Sequence, residues 1–143
     1  MNVGNQPKTK EIFECFRFKI EQVFETNFTM SYNPEDDKTR IYYNSKNNRS
    51  NFNMTIFEEN GVEHVPNTMI KIDKCILKIN YFEVSPVRVG LGTKLFNELL
   101  LLLSNIPIKG IVVVPENEGA KLFWKKLNFN KYKNHDTQLY LDI

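Results

Sequence analysis

Residues 84–96 read VSPVRVGLGTKLF: the apolar end of a strand, a proline, an arginine, two glycines one residue apart, and then a helical pattern. A chain that passes from strand to helix in so few residues must turn sharply. The first turn of a helix leaves backbone N–H groups without carbonyl partners, and its dipole places partial positive charge there. Glycines let a ligand reach those groups without meeting a Cβ. The guest such a turn favours is an anion, phosphate or pyrophosphate above all. Val89, Gly90, Leu91, Gly92 and Thr93 would supply the amides, with the Thr93 hydroxyl adding a hydrogen bond and Arg88 a charge. GLGTKL lacks the third glycine of the dinucleotide fingerprint and the GKS or GKT of a nucleotide-hydrolase loop. Two glycines before a helix are also met in tight turns that bind nothing.

The elements around this turn follow from periodicity. Ile12, Phe13, Phe16, Ile20, Val23 and Phe24 recur at helical steps, which predicts an amphipathic helix over 8–26. Residues 28–32 and 39–44 read as strands, separated by the turn-rich NPEDD, and 44–51 as a loop. NFNMTIFEEN alternates like a half-buried strand, and Asn60-Gly61 predicts a hairpin turn into VEHV. From Met69 to Val84 the chain is strand-like, with a break at Asp73-Lys74. Gly92 to Ser104 carries a leucine stripe and predicts a helix ending before Pro107. KGIVVV is the continuous apolar run of a strand covered on both faces. Asn117 is the expected N-cap of the next helix, with Glu118 in its first turn, and a final strand closes the chain. The order predicts one α+β layer around one sheet, in a single domain spanning 1–143.

Composition limits the function classes. In 143 residues, 41% are hydrophobic and 25% charged, as in an ordinary globular domain. The longest apolar run, Leu99 to Leu103, is far too short to span a bilayer. The N-terminus lacks the apolar block of a secretory signal, so a cytoplasmic location is expected. The net charge of +2 points away from a nucleic-acid partner, and no membrane partner is expected either. Cys15 and Cys75 read as two reduced core cysteines, and no metal site is expected. Lys121, Lys125, Lys126, Lys131 and Lys133 crowd the C-terminal quarter, and Glu35, Asp36 and Asp37 form an acidic loop. Such runs are usually solvated faces, although some of the lysines could neutralise a phosphorylated ligand.

Two stretches together resemble the GNAT N-acetyltransferase superfamily, whose members bind acetyl-coenzyme A. The first is CILKINYFEV followed by SPVRVGLGT, similar to the family's strand, proline loop and glycine-rich helix start. The second is NEGAKLFWKKLNF, where Asn117, Ala120, Phe123, Lys126 and Phe129 fall on the family's pattern. The order and separation match, and the resemblance covers roughly residues 75–143. It implies a GNAT-like α+β fold: a single mixed, mostly antiparallel sheet with helices on both faces. It also implies acetyl-CoA as co-substrate and transfer of the acetyl group to an amine of a small molecule or protein. Phe82 and Val84 would present backbone groups to the pantetheine arm. Arg88, Val89, Gly90, Leu91, Gly92 and Thr93 would hold the pyrophosphate, while Asn117 and Trp124 would lie along the thiol arm.

Strict spacing puts Val87 where the family has Gln or Arg, and a loop one residue shorter puts Arg88 there. Trp124 occupies the place of the Tyr that many members use as general acid, and an indole N–H cannot fill that role. Asn128 replaces a Gly, a mild change because Asn tolerates the left-handed conformation. The resemblance suggests Glu83 as the catalytic base, with Glu116 second, and Tyr132 or Tyr140 as substitutes for the missing acid. Assembly as a homodimer is left open. The alternative function is a non-catalytic acyl-CoA-binding or protein-interaction module on the same fold.

Overall fold

The computed structural model describes residues 9–33, 37–46, 49–58, 75–84, 90–106 and 108–143. The expected hairpin turn at Asn60-Gly61, the strand residues 69–74, most of the acidic loop, and Val87, Arg88 and Val89 lie outside the described residues.

Helix α1 (Thr9–Phe24) forms where the apolar stripe predicts it and buries Ile12, Phe13, Phe16, Ile20 and Val23 on one side. Glu25, at φ 54, ends it in the left-handed region. The Glu21 carboxylate then accepts a hydrogen bond from the Phe28 amide at 2.8 Å, tying the helix to the next strand. Cys15 is exposed on α1, so only Cys75 is a core cysteine. Position 15 falls between the buried residues of the stripe, and the helical period carries it outward.

Strands β1 (Phe28–Asn33), β2 (Asp37–Ser45), β3 (Asn51–Glu58) and β4 (Cys75–Glu83) pair antiparallel in sequence order. The Ser45 hydroxyl accepts from the amides of Arg49 and Ser50, both at 3.0 Å, and so closes the β2–β3 turn. Helix α2 (Leu91–Leu103) carries the chain over to β5 (Gly110–Val113), which pairs parallel with β4. After α3 (Glu118–Lys126), the short β6 (Asn130–Lys131) and the last strand β7 (Leu139–Asp142) complete the sheet. Its order is β1-β2-β3-β4-β5-β7-β6. This is the mixed, mostly antiparallel α+β sheet the sequence predicts.

The main core lies between the sheet and the helices. Leu95, Phe96, Leu99 and Leu103 of α2 join the α1 stripe, Ile79 and Leu77 of β4, and Trp124 of α3. Leu101, in the middle of the leucine run, is 61% exposed. Tyr43 of β2 is fully buried and donates its hydroxyl to the Phe13 carbonyl at 2.7 Å, crossing from sheet to helix. A smaller cluster of Ile76, Val112 and Tyr132, flanked by Phe57 and Tyr140, forms separately. A side chain at Gly110 would collide with the Tyr140 ring.

Helix α3 is capped at both ends. The Asn117 side chain accepts from the Ala120 amide at 2.8 Å. At the other end Asn128 stands at φ 74, in the conformation anticipated for the residue before Phe129. The Asn128 amide donates to the Lys125 carbonyl at 3.0 Å, and the Phe129 amide to the Trp124 carbonyl at 3.2 Å. These two bonds define a Schellman motif, and the Phe129 ring rests on Trp124 with centroids 5.1 Å apart.

Candidate active site

The site begins where two parallel strands part. Strand β4 pairs with β5 from Ile76 to Ile79, and the Val114 amide donates to the Ile79 carbonyl at 3.2 Å. Beyond that point β4 runs on to Glu83, paired only with β3 among the described residues. Among the described residues, the backbone of 80–84 therefore has one edge without a strand beside it. A peptide-like chain can add hydrogen bonds at such an edge.

The β3–β4 register shifts between Asn53 and Met54, because Asn53 faces Tyr81 while Met54 faces Ile79. Asn80 is the extra residue of a β-bulge, and its side-chain amide donates to the Thr55 hydroxyl at 3.0 Å. Regular alternation would put Ile79 and Phe82 on opposite faces. With one residue bulged out, both face the main core. Tyr81 and Glu83 then share the other side of the strand.

A cleft of about 190 Å³ opens at the parting, between 79–84 on one lip and 114–117 on the other, with Trp124 at its floor. Phe82 and Val84 line it, as do Asn117 and Glu116. Asn117 uses its side-chain oxygen as a helix cap, so the groups it can still offer are its side-chain NH₂ and its backbone. Trp124 is buried among Phe82, Phe96, Phe123 and Phe129, with ring centroids at 4.9 to 5.4 Å. Its role there is packing, and it supplies no ionisable group.

The start of α2 adjoins this floor. Gly90 is the N-cap at φ 77 and offers no side-chain cap. Intrahelical bonding begins with the Lys94 amide donating to the Gly90 carbonyl at 3.0 Å. The N–H groups of Leu91, Gly92 and Thr93 therefore precede the first helical bond. A Cβ on Gly90 would meet nothing within 4 Å among the described residues. A Cβ on Gly92 would stand 3.4 Å from Phe123 and 3.5 Å from Phe82. The bare backbone at Gly92 thus brings the helix start against Phe123 and against Phe82, which also lines the cleft. The stretch of β4 unpaired with β5 and the start of α2 thus lie together, joined through the Phe82 ring. Thr93 is exposed at this end and Leu91 packs against the core.

Polar groups gather on the β4 lip. Glu83 accepts from the Tyr81 hydroxyl at 2.9 Å and from the Asn51 side-chain amide at 3.0 Å. Tyr81 holds its proton more tightly than an ordinary tyrosine. The largest cause is the hydrogen bond to Glu83, followed by partial burial and the charges of Glu83 and Glu116. Tyr81 was not singled out from sequence; the one signal for it is its place two residues before Glu83 on a strand. Tyr132 and Tyr140 do not reach the cleft. They pack together in the smaller cluster, where the Tyr140 hydroxyl faces the Lys109 carbonyl at 3.4 Å. Lys121, Lys125 and Lys131 line a second groove, in which Lys131 faces Asp136 at 3.5 Å.

No family model matches the sequence, and no curated protein does. Solved structures do match. The toxin in the KacTA–DNA complex shares 15% identity over 76% of this chain and 71% of its own, with a TM-score of 0.52. The AtaT–AtaR complex bound to DNA gives 16% identity over 73% and 68%, also with a TM-score of 0.52. AtaT and KacT are GNAT-family acetyltransferase toxins. The fold is GNAT-like.

These GNAT-like neighbours overturn one expectation. A chain of net charge +2 was expected to have no nucleic-acid partner, yet both neighbours belong to assemblies with DNA. Net charge averages over a whole surface and says little about one face or about an assembled complex. The expected acceptor, an amine on a small molecule or protein, draws no support from them either. No helix among the described residues is long and apolar enough to cross a membrane.

Proposed function

We propose that this chain is an acetyl-CoA-dependent N-acetyltransferase, acting in the cytoplasm as a single domain. The observation that carries the reading is the parting of β4 from β5 beyond Ile79, with the glycine-bearing N-terminus of α2 packed on Phe82 beside it. The co-substrate supplies an acetyl thioester whose carbonyl carbon receives the amine. The backbone at Phe82 and Val84 pairs with the amide-bearing arm. The amides of Val89 to Thr93 hold the diphosphate, with Arg88 adding charge. Asn117 and Trp124 border the thiol arm, Trp124 by shape alone. Glu83 serves as base for the amine proton. The thiolate leaves without a proton from position 124, because an indole N–H is not an acid near neutral pH.

The acceptor is an amino group. The neighbours' assemblies with DNA put nucleic-acid-borne amines among the carriers to test, beside small molecules and proteins. Thermal-shift titration with acetyl-CoA, then thiol release over a panel that includes aminoacylated RNA, tests the reading. A raised melting temperature with release for at least one acceptor is expected. Binding without release for any acceptor would favour the non-catalytic module, and no shift at all would remove both.

A further inference from the structure

Trp124 leaves the proton chemistry of the site unassigned on the α3 side, whereas the β4 lip holds a hydroxyl already hydrogen-bonded to a carboxylate. Both Glu83 oxygens are engaged, one by Tyr81 at 2.9 Å and the other by Asn51 at 3.0 Å. Two anchors fix the carboxylate's orientation although the residue is exposed. The Tyr81 hydroxyl spends its one proton on Glu83, so its oxygen lone pairs are free to accept another. Tyr81 also lines the cleft, and Glu116 stands on the opposite lip.

We propose that Tyr81 is a catalytic residue of this site. It takes the acceptor's proton while handing its own to Glu83, so that the two side chains act as one base. The inference rests on the acyltransferase reading above. In the step, the neutral amine nitrogen bonds to the acetyl carbonyl carbon, and the C–S bond breaks with its electron pair going to sulfur. The proton lost from nitrogen moves to the Tyr81 oxygen as the Tyr81 proton moves to Glu83. Glu83, open to water, then releases it. Tyr81 carries no net charge before or after the transfer, and no oxidant or further reactant is needed. The 2.9 Å hydrogen bond already points the Tyr81 proton at the Glu83 carboxylate, which sets the direction of the relay. Glu116 adds negative charge that favours a proton arriving at this lip.

Tyr81→Phe, Glu83→Gln and the double variant test the relay in the full chain. Each single variant should lose about 10²-fold in turnover, the range for a general base. The double variant should be no worse than the weaker single one, because the two groups act in one step. Acetyl-CoA affinity, measured calorimetrically, should not change. Carbon-13 resonances of the tyrosine ring give a readout independent of turnover: Tyr81 should titrate above an ordinary tyrosine and fall toward it in Glu83→Gln. Wild-type turnover retained in Tyr81→Phe, losses that multiply in the double variant, or a Tyr81 titration unmoved by Glu83→Gln would each overturn the relay while leaving the acyltransferase reading intact. A wild-type protein that releases no thiol with any acceptor would overturn both.

Discussion

Phe82 and Trp124 meet edge to face, ring centroids 5.0 Å apart at 67°, so one aromatic contact joins the free end of β4 to helix α3. Phe82 also stands 4.9 Å from Phe52, and Trp124 5.4 Å from Phe96. The contact is thus part of the core and the floor of the cleft at once. Trp124→Ala should cost about 3–5 kcal/mol, read as a large fall in denaturant midpoint. Trp124→Phe should keep the fold and most of the turnover, because position 124 contributes shape. Collapse of turnover in a folded Trp124→Phe protein would show a chemical role for the indole.

Asn117 closes the far lip by capping α3. Its side chain accepts from the Ala120 amide at 2.8 Å with extended backbone at the cap. Asn117→Ala should lose about 1 kcal/mol of stability, and Asn117→Asp should restore it, since aspartate caps equally well. Chemical denaturation of the three proteins checks this.

Tyr43 predicts an alkaline limit. Burial, followed by the nearby Glu14 charge, raises its pKa well above the ordinary 10.0. The unfolded chain releases this proton near the ordinary value while the folded chain keeps it. The folded state then binds more protons, so stability is complete below about pH 10 and falls as pH rises beyond it. Tyr43→Phe should flatten that fall. It should also cost about 1 kcal/mol at neutral pH, through the bond to the Phe13 carbonyl. Unfolding curves at pH 8 to 11 would read both effects as differences between the two proteins.

Much of the fold was legible because period and position decide it. The α1 stripe, the apolar run of β5 and the Asn117 cap each depend on residues within one turn or strand. Asn128 was legible for the same reason: its left-handed conformation is a local property of the residue ending α3. The parting of the strands was legible only through the family resemblance, because it depends on where β4 stops pairing with a strand distant in sequence. The Asn80 bulge gave no signal, since a single inserted residue looks like ordinary alternation until the partner strand is known. Tyr81 was missed because its importance lies in a hydrogen bond to Glu83. Cys15 was assigned to the core by residue type, although its helical position faces out.

The central claim is that acetyl-CoA lies along β4 with its diphosphate at the start of α2. Calorimetric titration of acetyl-CoA into the wild type and Gly90→Asp tests it most directly. A Cβ at Gly90 meets nothing within 4 Å among the described residues, and an added carboxylate there would set a negative charge where the account puts the diphosphate. The left-handed φ of 77 adds about 1–2 kcal/mol of strain, which circular dichroism and a melting curve must show to be tolerated. Stoichiometric binding to the wild type, lost in a folded Gly90→Asp protein but retained when Lys121 or Lys125 is changed to Ala, is the predicted result. Equal affinity in wild type and Gly90→Asp, or no binding to the wild type, would contradict it.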